Sequence, residues 1–321
     1  MEGYSSNQLF GVRDSETGAV NNNPNRMIPF EKCIEILDDC KNMGVRAIQA
    51  TGGGEPTVHP QHREIFQAVL DRGLDLALVT NGVIFRDGLI DILLRAKWVR
   101  ISVDAGNAAT YAAIREVKPS FYDRVHQNIA ALTKAKRESD DPAAKELVVG
   151  YGFVVTRENW REVVDATRIA REIGVDNLRI SAVFQPDDER YFEDFHAEAA
   201  ALCRQAESLS TPTFRVFNNF GERVQDLREH SPDYSFCGYQ QLNTYIGADL
   251  NCYRCCVQAY NAHGLIGSIA EKRFRELWES EEKRKDFERF DARSCDRCQF
   301  NSKNRTIIYA LSENPQHANF I

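Results

Sequence analysis

A helix, a stopping glycine and a short apolar strand recur along the first half of this chain of 321 residues, and that repeat restricts the fold more than any other feature. Pro29 to Met43 has helical periodicity, stops at Gly44 and leads into a strand at 45–50. Pro60 to Arg72 stops at Gly73 before a strand at 75–80, and Gly88 to Ala96 precedes a strand at 98–103. Phe121 to Lys136 is a longer helix, followed by the polar turn Asp140-Asp141-Pro142 and a strand at 146–155. Asn159 to Ile173 stops at Gly174 before a strand at 177–183. Glycine closes a helix in the left-handed conformation, and a continuously apolar strand is one covered on both faces. The alternation predicts an α/β fold on a parallel sheet, either a barrel or a doubly wound sheet, and periodicity does not choose between them.

The stretch Thr51-Gly52-Gly53-Gly54-Glu55-Pro56 closes the first of these strands. Three consecutive glycines leave bare backbone that a ligand can approach closely. A carboxylate stands beside that backbone, and Pro56 sets the exit of the turn. Carbonyls and Glu55 together suit a ligand bearing an ammonium group, although a lone glycine triplet is more often an ordinary βα turn. His59 and His62 follow and are expected to order a helix start rather than to bind metal.

Composition narrows the classes. The net charge is −7 with both signs interspersed, so no nucleic-acid footprint is visible. No apolar run approaches the roughly 18 residues of a membrane span, and no signal-peptide pattern opens the chain. The expectation is a cytoplasmic protein of about two domains, without membrane or nucleic-acid partners. Six of the nine cysteines, Cys237, Cys252, Cys255, Cys256, Cys295 and Cys298, cluster after residue 236, which points to a metal or cluster site in a reducing compartment. Cys295-Asp296-Arg297-Cys298 can offer two thiolates from one tight turn, and a hairpin is expected from Thr244-Tyr245-Ile246 to Cys252-Tyr253. A helix from Phe274 to Phe290 then brings the chain back. Four thiolates so arranged fit zinc or an iron–sulfur cluster, and spacing alone favours zinc.

The glycine stretch resembles the Gly-Gly-Glu-Pro motif of radical S-adenosylmethionine (SAM) enzymes, which holds the amino group of SAM. Leu78-Val79-Thr80-Asn81-Gly82 and Val99-Arg100-Ile101-Ser102-Val103-Asp104 resemble the ends of the next two strands of that family. The resemblance implies a partial (β/α)6 TIM-like barrel, with function at the C-terminal strand ends. It also implies SAM contacts from Gly52, Gly53, Gly54, Glu55, Pro56, Asn81 and Ser102. Asp104 would bond a hydroxyl of the ligand or cap the next helix, and Arg115 would grip the SAM carboxylate or be a solvated charge. The family's Cys-x3-Cys-x2-Cys, whose thiolates hold the catalytic [4Fe–4S] cluster, occurs nowhere here. Cys33 and Cys40 share a helix face and read as core. The expectation is an N-terminally truncated form lacking the first strand and its Cys loop, the alternatives being a catalytically inactive SAM-binding relative or a zinc-stabilised α/β binding protein; the chain itself is expected to be inactive.

The cysteine-rich end resembles the SPASM/twitch extension of such enzymes, which carries auxiliary clusters. That resemblance implies one auxiliary [4Fe–4S] cluster on Cys237, Cys255, Cys295 and Cys298, with Cys252 a competing reading for Cys255 and Cys256 a neighbour. No cysteine follows Cys298, and Asn304 stands where another would be expected, so the shorter twitch form is implied. Expected domains are a flexible arm or lid at 1–28, a core at 29–225 and the auxiliary-cluster domain at 226–321. The implied activity is oxidoreductase-type: SAM is cleaved to a 5′-deoxyadenosyl radical that takes hydrogen from a small-molecule or peptide substrate, with a flavodoxin or ferredoxin as electron donor.

Overall fold

The computed structural model describes residues 27–86, 88–184, 188–229, 231–295 and 298–312. The expected arm, but for Met27 and Ile28, lies outside the described residues. The chain divides into two compact units, one from Pro29 to Val224 and one that continues from Gln225.

In the first unit, β1 (Ala47–Ala50), β2 (Asp75–Thr80), β3 (Trp98–Ser102), β4 (Val148–Val155), β5 (Asn177–Ala182) and β6 (Arg215–Asn218) form one sheet. They lie in chain order, and every neighbouring pair is parallel. Helices connect them: α1 (Phe30–Asn42) leads into β1, then α2 (His62–Asp71), α3 (Leu89–Leu93), α4 (Ala108–Arg115), α5 (Ser120–Glu138), α6 (Pro142–Glu146), α7 (Val163–Ile173) and α8 (His196–Glu207). Consecutive parallel strands joined by helices are the arrangement of a βα part-barrel.

Strand alternation then separates two faces. Val99, Ile101, Val149, Tyr151, Phe153, Val155, Leu178 and Ile180 are fully buried and form the core under the helices. Between them Arg100, Ser102, Gly150, Gly152, Asn177 and Arg179 point to the opposite face, in register Arg100–Gly150–Asn177 and Ser102–Gly152–Arg179. The five strands expected from the sequence are all present within two residues at each end. The sixth was not expected: β6 is a four-residue edge strand reading Arg-Val-Phe-Asn, too short and too polar for the apolar-run signal.

In the second unit, α9 (Phe220–Glu229) runs in from the first, and α10 (Tyr239–Leu242) precedes β7 (Tyr245–Ile246), β8 (Asn251–Tyr253) and β9 (Leu265–Ser268). These three make an antiparallel sheet, so the expected hairpin is present and gains a strand. The single helix expected from Phe274 to Phe290 is two, α11 (Phe274–Trp278) and α12 (Glu281–Arg289). The reason is Ser280: its backbone is extended and its hydroxyl accepts from the Lys283 N–H at 3.1 Å, capping a new helix. Helix α13 (Asn301–Leu311) closes the described chain. Among the described residues no helix is long and apolar enough to cross a membrane.

Candidate functional site

At the end of β1 the glycines stay bare because Glu55 holds the turn from outside. Its Oε1 accepts from the Thr57 N–H at 3.1 Å, from Thr57 Oγ1 at 2.7 Å and from Thr80 Oγ1 at 2.7 Å. Its Oε2 accepts from the Asn81 N–H at 2.6 Å. Both oxygens are therefore engaged within the protein, pinning the glycine turn to the end of β2. Pro56 opens the short 3-10 turn Pro56–Val58 that Glu55 caps. A Cβ at Gly52 would stand 2.4 Å from the Gly54 carbonyl oxygen, whereas nothing lies within 4 Å of that place on Gly54. Bare backbone beside open space is a cradle that fits the polar head of SAM, with the carbonyls rather than Glu55 left to meet its ammonium. His59 and His62 order the start of α2: His59 Nδ1 accepts from the Gln61 N–H, and His62 Nδ1 lies 2.7 Å from the His59 carbonyl.

The next two strand ends are as tightly held. Asn81 Oδ1 accepts from the Val83 N–H at 2.9 Å, closing an Asx turn. Asp104 is buried, with φ at +61°. Its Oδ2 pairs with Arg115 Nη2 at 2.5 Å, and its Oδ1 accepts from the Val154 N–H at 2.7 Å. Arg115 Nη2 also donates to the Ser102 carbonyl at 3.1 Å. Arg115 is thus an ion-pair partner of Asp104 and not a solvated charge. Burial pushes the Asp104 carboxyl up, and Arg115 opposes that. The helix-cap alternative for Asp104 does not hold, because Asn107 caps α4 by accepting from the Ala109 and Thr110 N–H groups.

Two residues the sequence reading missed complete this rim. Glu162 accepts from the Gly106 N–H at 2.7 Å, from Asn107 Nδ2 at 2.8 Å and from Thr110 Oγ1. Asn159 donates from Nδ2 to the Asp104 and Val154 carbonyls, both at 2.8 Å. Apart from Val154, their partners are 50 or so residues away, so no local spacing announces them.

In the second unit burial pushes the Tyr239 hydroxyl up, and the nearby Cys256, Cys255, Cys298 and Cys237 add to that. After burial, Cys237 raises Cys298, and Cys256 and Cys295 raise Cys255. Burial pushes the Cys237, Cys255, Cys256 and Cys298 thiols up. Against that, backbone N–H groups aim at the sulfurs: Tyr239 and Gln240 at Cys237, Val257 and Gln258 at Cys255, and Phe300 at Cys298 at 3.4 Å. Half-buried sulfurs ringed by amide donors are costly as bare thiolates and suited to a cationic metal centre. Among the described residues no three His, Cys, Asp or Glu side chains stand close enough to hold one metal ion. Cys252 differs: it is fully buried within β8, between Ile246 and Gly267. Cys33 and Cys40 lie in α1, and burial pushes both thiols up to about 11.

The cysteine loops are anchored by side chains. Asn304, buried on α13, accepts from the Tyr239 N–H at 3.0 Å and donates to the Phe236 carbonyl at 2.9 Å, gripping both sides of Cys237. Arg254, next to Cys255, binds Asp286 bidentately at 2.6 Å and donates to Gln240 at 2.9 Å.

A glycine turn at the strand ends of a parallel βα sheet, followed in the chain by a small unit that carries the cysteines, is the arrangement that the resemblance to radical SAM enzymes implies. Comparison with known proteins agrees: residues 12–153 match the radical SAM superfamily, and residues 237–299 match the iron–sulfur cluster-binding SPASM domain. Residues 12–153 thus carry a radical SAM domain and residues 237–299 a SPASM-type domain, and these domains imply SAM and an iron–sulfur cluster as cofactors. It is 24% identical over 293 residues to the AdoMet-dependent heme synthase of Methanosarcina barkeri, covering 84% of this chain and 78% of that protein. It is 28% identical over 159 residues to the tungsten-containing aldehyde ferredoxin oxidoreductase cofactor-modifying protein of Pyrococcus furiosus, covering 47% of this chain and 42% of that one. The fold is similar to that of Streptococcus suis SuiB bound to S-adenosylmethionine, with a TM-score of 0.59 at 14% identity over 81% of this chain and 61% of SuiB. It is also similar to anSMEcpe with bound AdoMet, with a TM-score of 0.58 at 15% identity over 83% of this chain and 76% of that one. The matched span is thus less than half of the Pyrococcus protein's length and about three fifths of SuiB's.

Proposed function

We propose that this chain is the SAM-binding and auxiliary-cluster part of a radical SAM enzyme of oxidoreductase type. The observation that carries the reading is the Gly52–Gly54 cradle, held open by Glu55 through Thr80 and Asn81. The chemistry supplied when the family's cofactors are bound is one-electron cleavage of SAM and hydrogen-atom abstraction from a substrate. The residues here bind and orient. Carbonyls of the cradle accept from the SAM ammonium, Ser102 and Asn81 stand at neighbouring strand ends for the ribose, and Asp104 with Arg115 keeps the β3 end rigid. Cys237, Cys255, Cys295 and Cys298 hold the auxiliary [4Fe–4S] cluster. The full burial of Cys252 inside β8, against the partly exposed position of Cys255, supports Cys255 over Cys252. The match of residues 237–299 to an iron–sulfur cluster-binding domain supports a multi-iron cluster over a single zinc ion. The substrate is a small molecule or a peptide; SuiB has been solved with its precursor peptide, and a relative is a heme synthase. An electron donor of the flavodoxin or ferredoxin kind completes the system.

Residues 1–321 contain no Cys-x3-Cys-x2-Cys. That absence supports a second reading, in which this chain binds SAM without cleaving it. The test is SAM affinity and SAM cleavage in anaerobically purified protein with dithionite. SAM is expected to bind, at least about tenfold more weakly in Gly52→Ala, and no 5′-deoxyadenosine is expected. Absence of SAM binding overturns the reading, and 5′-deoxyadenosine from residues 1–321 overturns the non-cleaving assignment.

A further inference from the structure

Among the described residues, two arginines on the face of the sheet opposite the helix-covered core make no ion pair. Arg100 is the middle residue of β3 and Arg179 the third of β5, and both project to the face opposite the helix-covered core. Among the described residues neither makes a hydrogen bond or an ion pair; Arg100 only lies over the Trp98 ring, at 5.1 Å. Between them runs β4, whose residues on this face are Gly150 and Gly152. A side chain at Gly150 would run into Asn177 Oδ1 at 2.9 Å, and one at Gly152 would meet Arg100 Cδ at 3.7 Å. The two glycines therefore form a floor that the Asn177 side chain and the Arg100 stem lie against.

The charges around this floor do not cancel. Burial and the nearby Arg179 bring Arg100 down to about 10. Burial and the nearby Arg223 lower Arg179, and Glu222 opposes this. Glu222 is already committed, accepting from Arg223 Nη2 at 2.8 Å and from Asn219 Nδ2 at 3.0 Å. Two half-buried, like-charged guanidiniums without an ion-pair partner among the described residues cost stability, and a planar fork of donors is the partner that oxyanions match best.

We propose that Arg100 and Arg179, over the Gly150–Gly152 floor, form a subsite for an oxyanion, a carboxylate or phosphate, carried by the substrate. Naming the anion as the substrate's rests on the radical SAM reading; the existence of the anion site does not. Arg179 stands in register with Ser102 and Arg100 lies deeper along the strand direction, so the subsite lies along the sheet below the strand ends that carry the SAM contacts. The substrate class this selects is an anionic small molecule or an acidic side chain of a peptide.

The experiment titrates anaerobically purified protein with succinate, inorganic phosphate, neutral succinamide and SAM at fixed ionic strength. Wild type, Arg100→Gln, Arg179→Gln and the charge-keeping Arg100→Lys and Arg179→Lys are compared by calorimetry and thermal melting. Succinate or phosphate, but not succinamide, is expected to bind and raise the melting temperature, and the preferred anion tells carboxylate from phosphate. Each Gln variant should lose about tenfold or more in anion affinity, the scale of one charge-assisted contact, while keeping SAM affinity. Each should also melt no lower than wild type, because a repulsive charge is gone. The Lys variants fold with the charge intact and should keep part of the binding. No anion binding, unchanged binding in both Gln variants, or a parallel loss of SAM affinity that marks the anion as SAM's own carboxylate would overturn the proposal. If wild type binds anions but not SAM, the subsite stands and the radical SAM reading fails instead.

Discussion

Glu55 Oε2 accepts the backbone N–H of Asn81 at 2.6 Å, so the acid of the glycine turn is spent on the end of the next strand. Four donors converge on its two oxygens. The physical role of this residue is to fix a distance between two strand ends, which leaves the backbone as the ligand's partner.

That role predicts the effect of Glu55→Gln. A neutral amide has one acceptor oxygen, and its NH2 would face a donor at the other position. The loss of one or two charge-assisted hydrogen bonds should cost about 2–4 kcal/mol in urea unfolding. SAM affinity should fall with it, because the cradle loosens. Unchanged stability would mean that Glu55 does not clamp the strands.

Asp104→Asn leaves Arg115 beside the Ser102 carbonyl without its carboxylate. Breaking a largely buried ion pair on one side costs about 3–5 kcal/mol. The double variant Asp104→Asn with Arg115→Met should recover part of this, measured as a coupling energy in a double-mutant cycle. Additive losses would show that the two residues act independently.

Gly82 sits at φ +73° immediately after Asn81, and a Cβ there would lie 2.6 Å from Ile101 Cγ2. Gly82→Ala combines a disfavoured conformation with a clash against a fully buried side chain. A loss of about 2 kcal/mol or more in denaturant unfolding is expected, and a neutral outcome would contradict the packing described for the β2 end.

Burial holds His126 below the ordinary histidine value, with Nδ1 2.8 Å from the Tyr122 carbonyl and Nε2 3.2 Å from Tyr151 Oη. The unfolded chain therefore takes up a proton at higher pH than the native protein does. Stability should rise with pH from the lowered native value up to about 6.5 and fall on acidification through that window. His126→Gln should flatten this limb when urea midpoints are compared at about pH 5 and about pH 7. A limb unchanged in the variant would place the titrating group elsewhere.

The parts of the fold that could be read from the sequence are those with local signals. Gly44, Gly73 and Gly174 end their helices at φ values from +67° to +86°, and the apolar strands that follow sit where the periodicity puts them. The glycine turn was legible because bare backbone is written directly in residue type. What could not be read depends on distant partners or on faces. Glu162 and Asn159 serve a loop some 50 residues away. Arg100 and Arg179 are single charges inside apolar strands, and only the register across β4 brings them onto one face. Ser280 divided an expected helix because one hydroxyl found the Lys283 N–H.

The central claim is the ligand set of the auxiliary cluster, and iron and acid-labile sulfide content tests it most directly. Protein made under anaerobic, iron-replete conditions is compared with Cys237→Ser, Cys255→Ser, Cys295→Ser, Cys298→Ser and Cys252→Ser. The account predicts a brown protein whose iron and sulfide fall sharply in the first four variants and persist in Cys252→Ser. A colourless, zinc-containing wild type, or iron that persists in Cys295→Ser with Cys298→Ser combined, would contradict it.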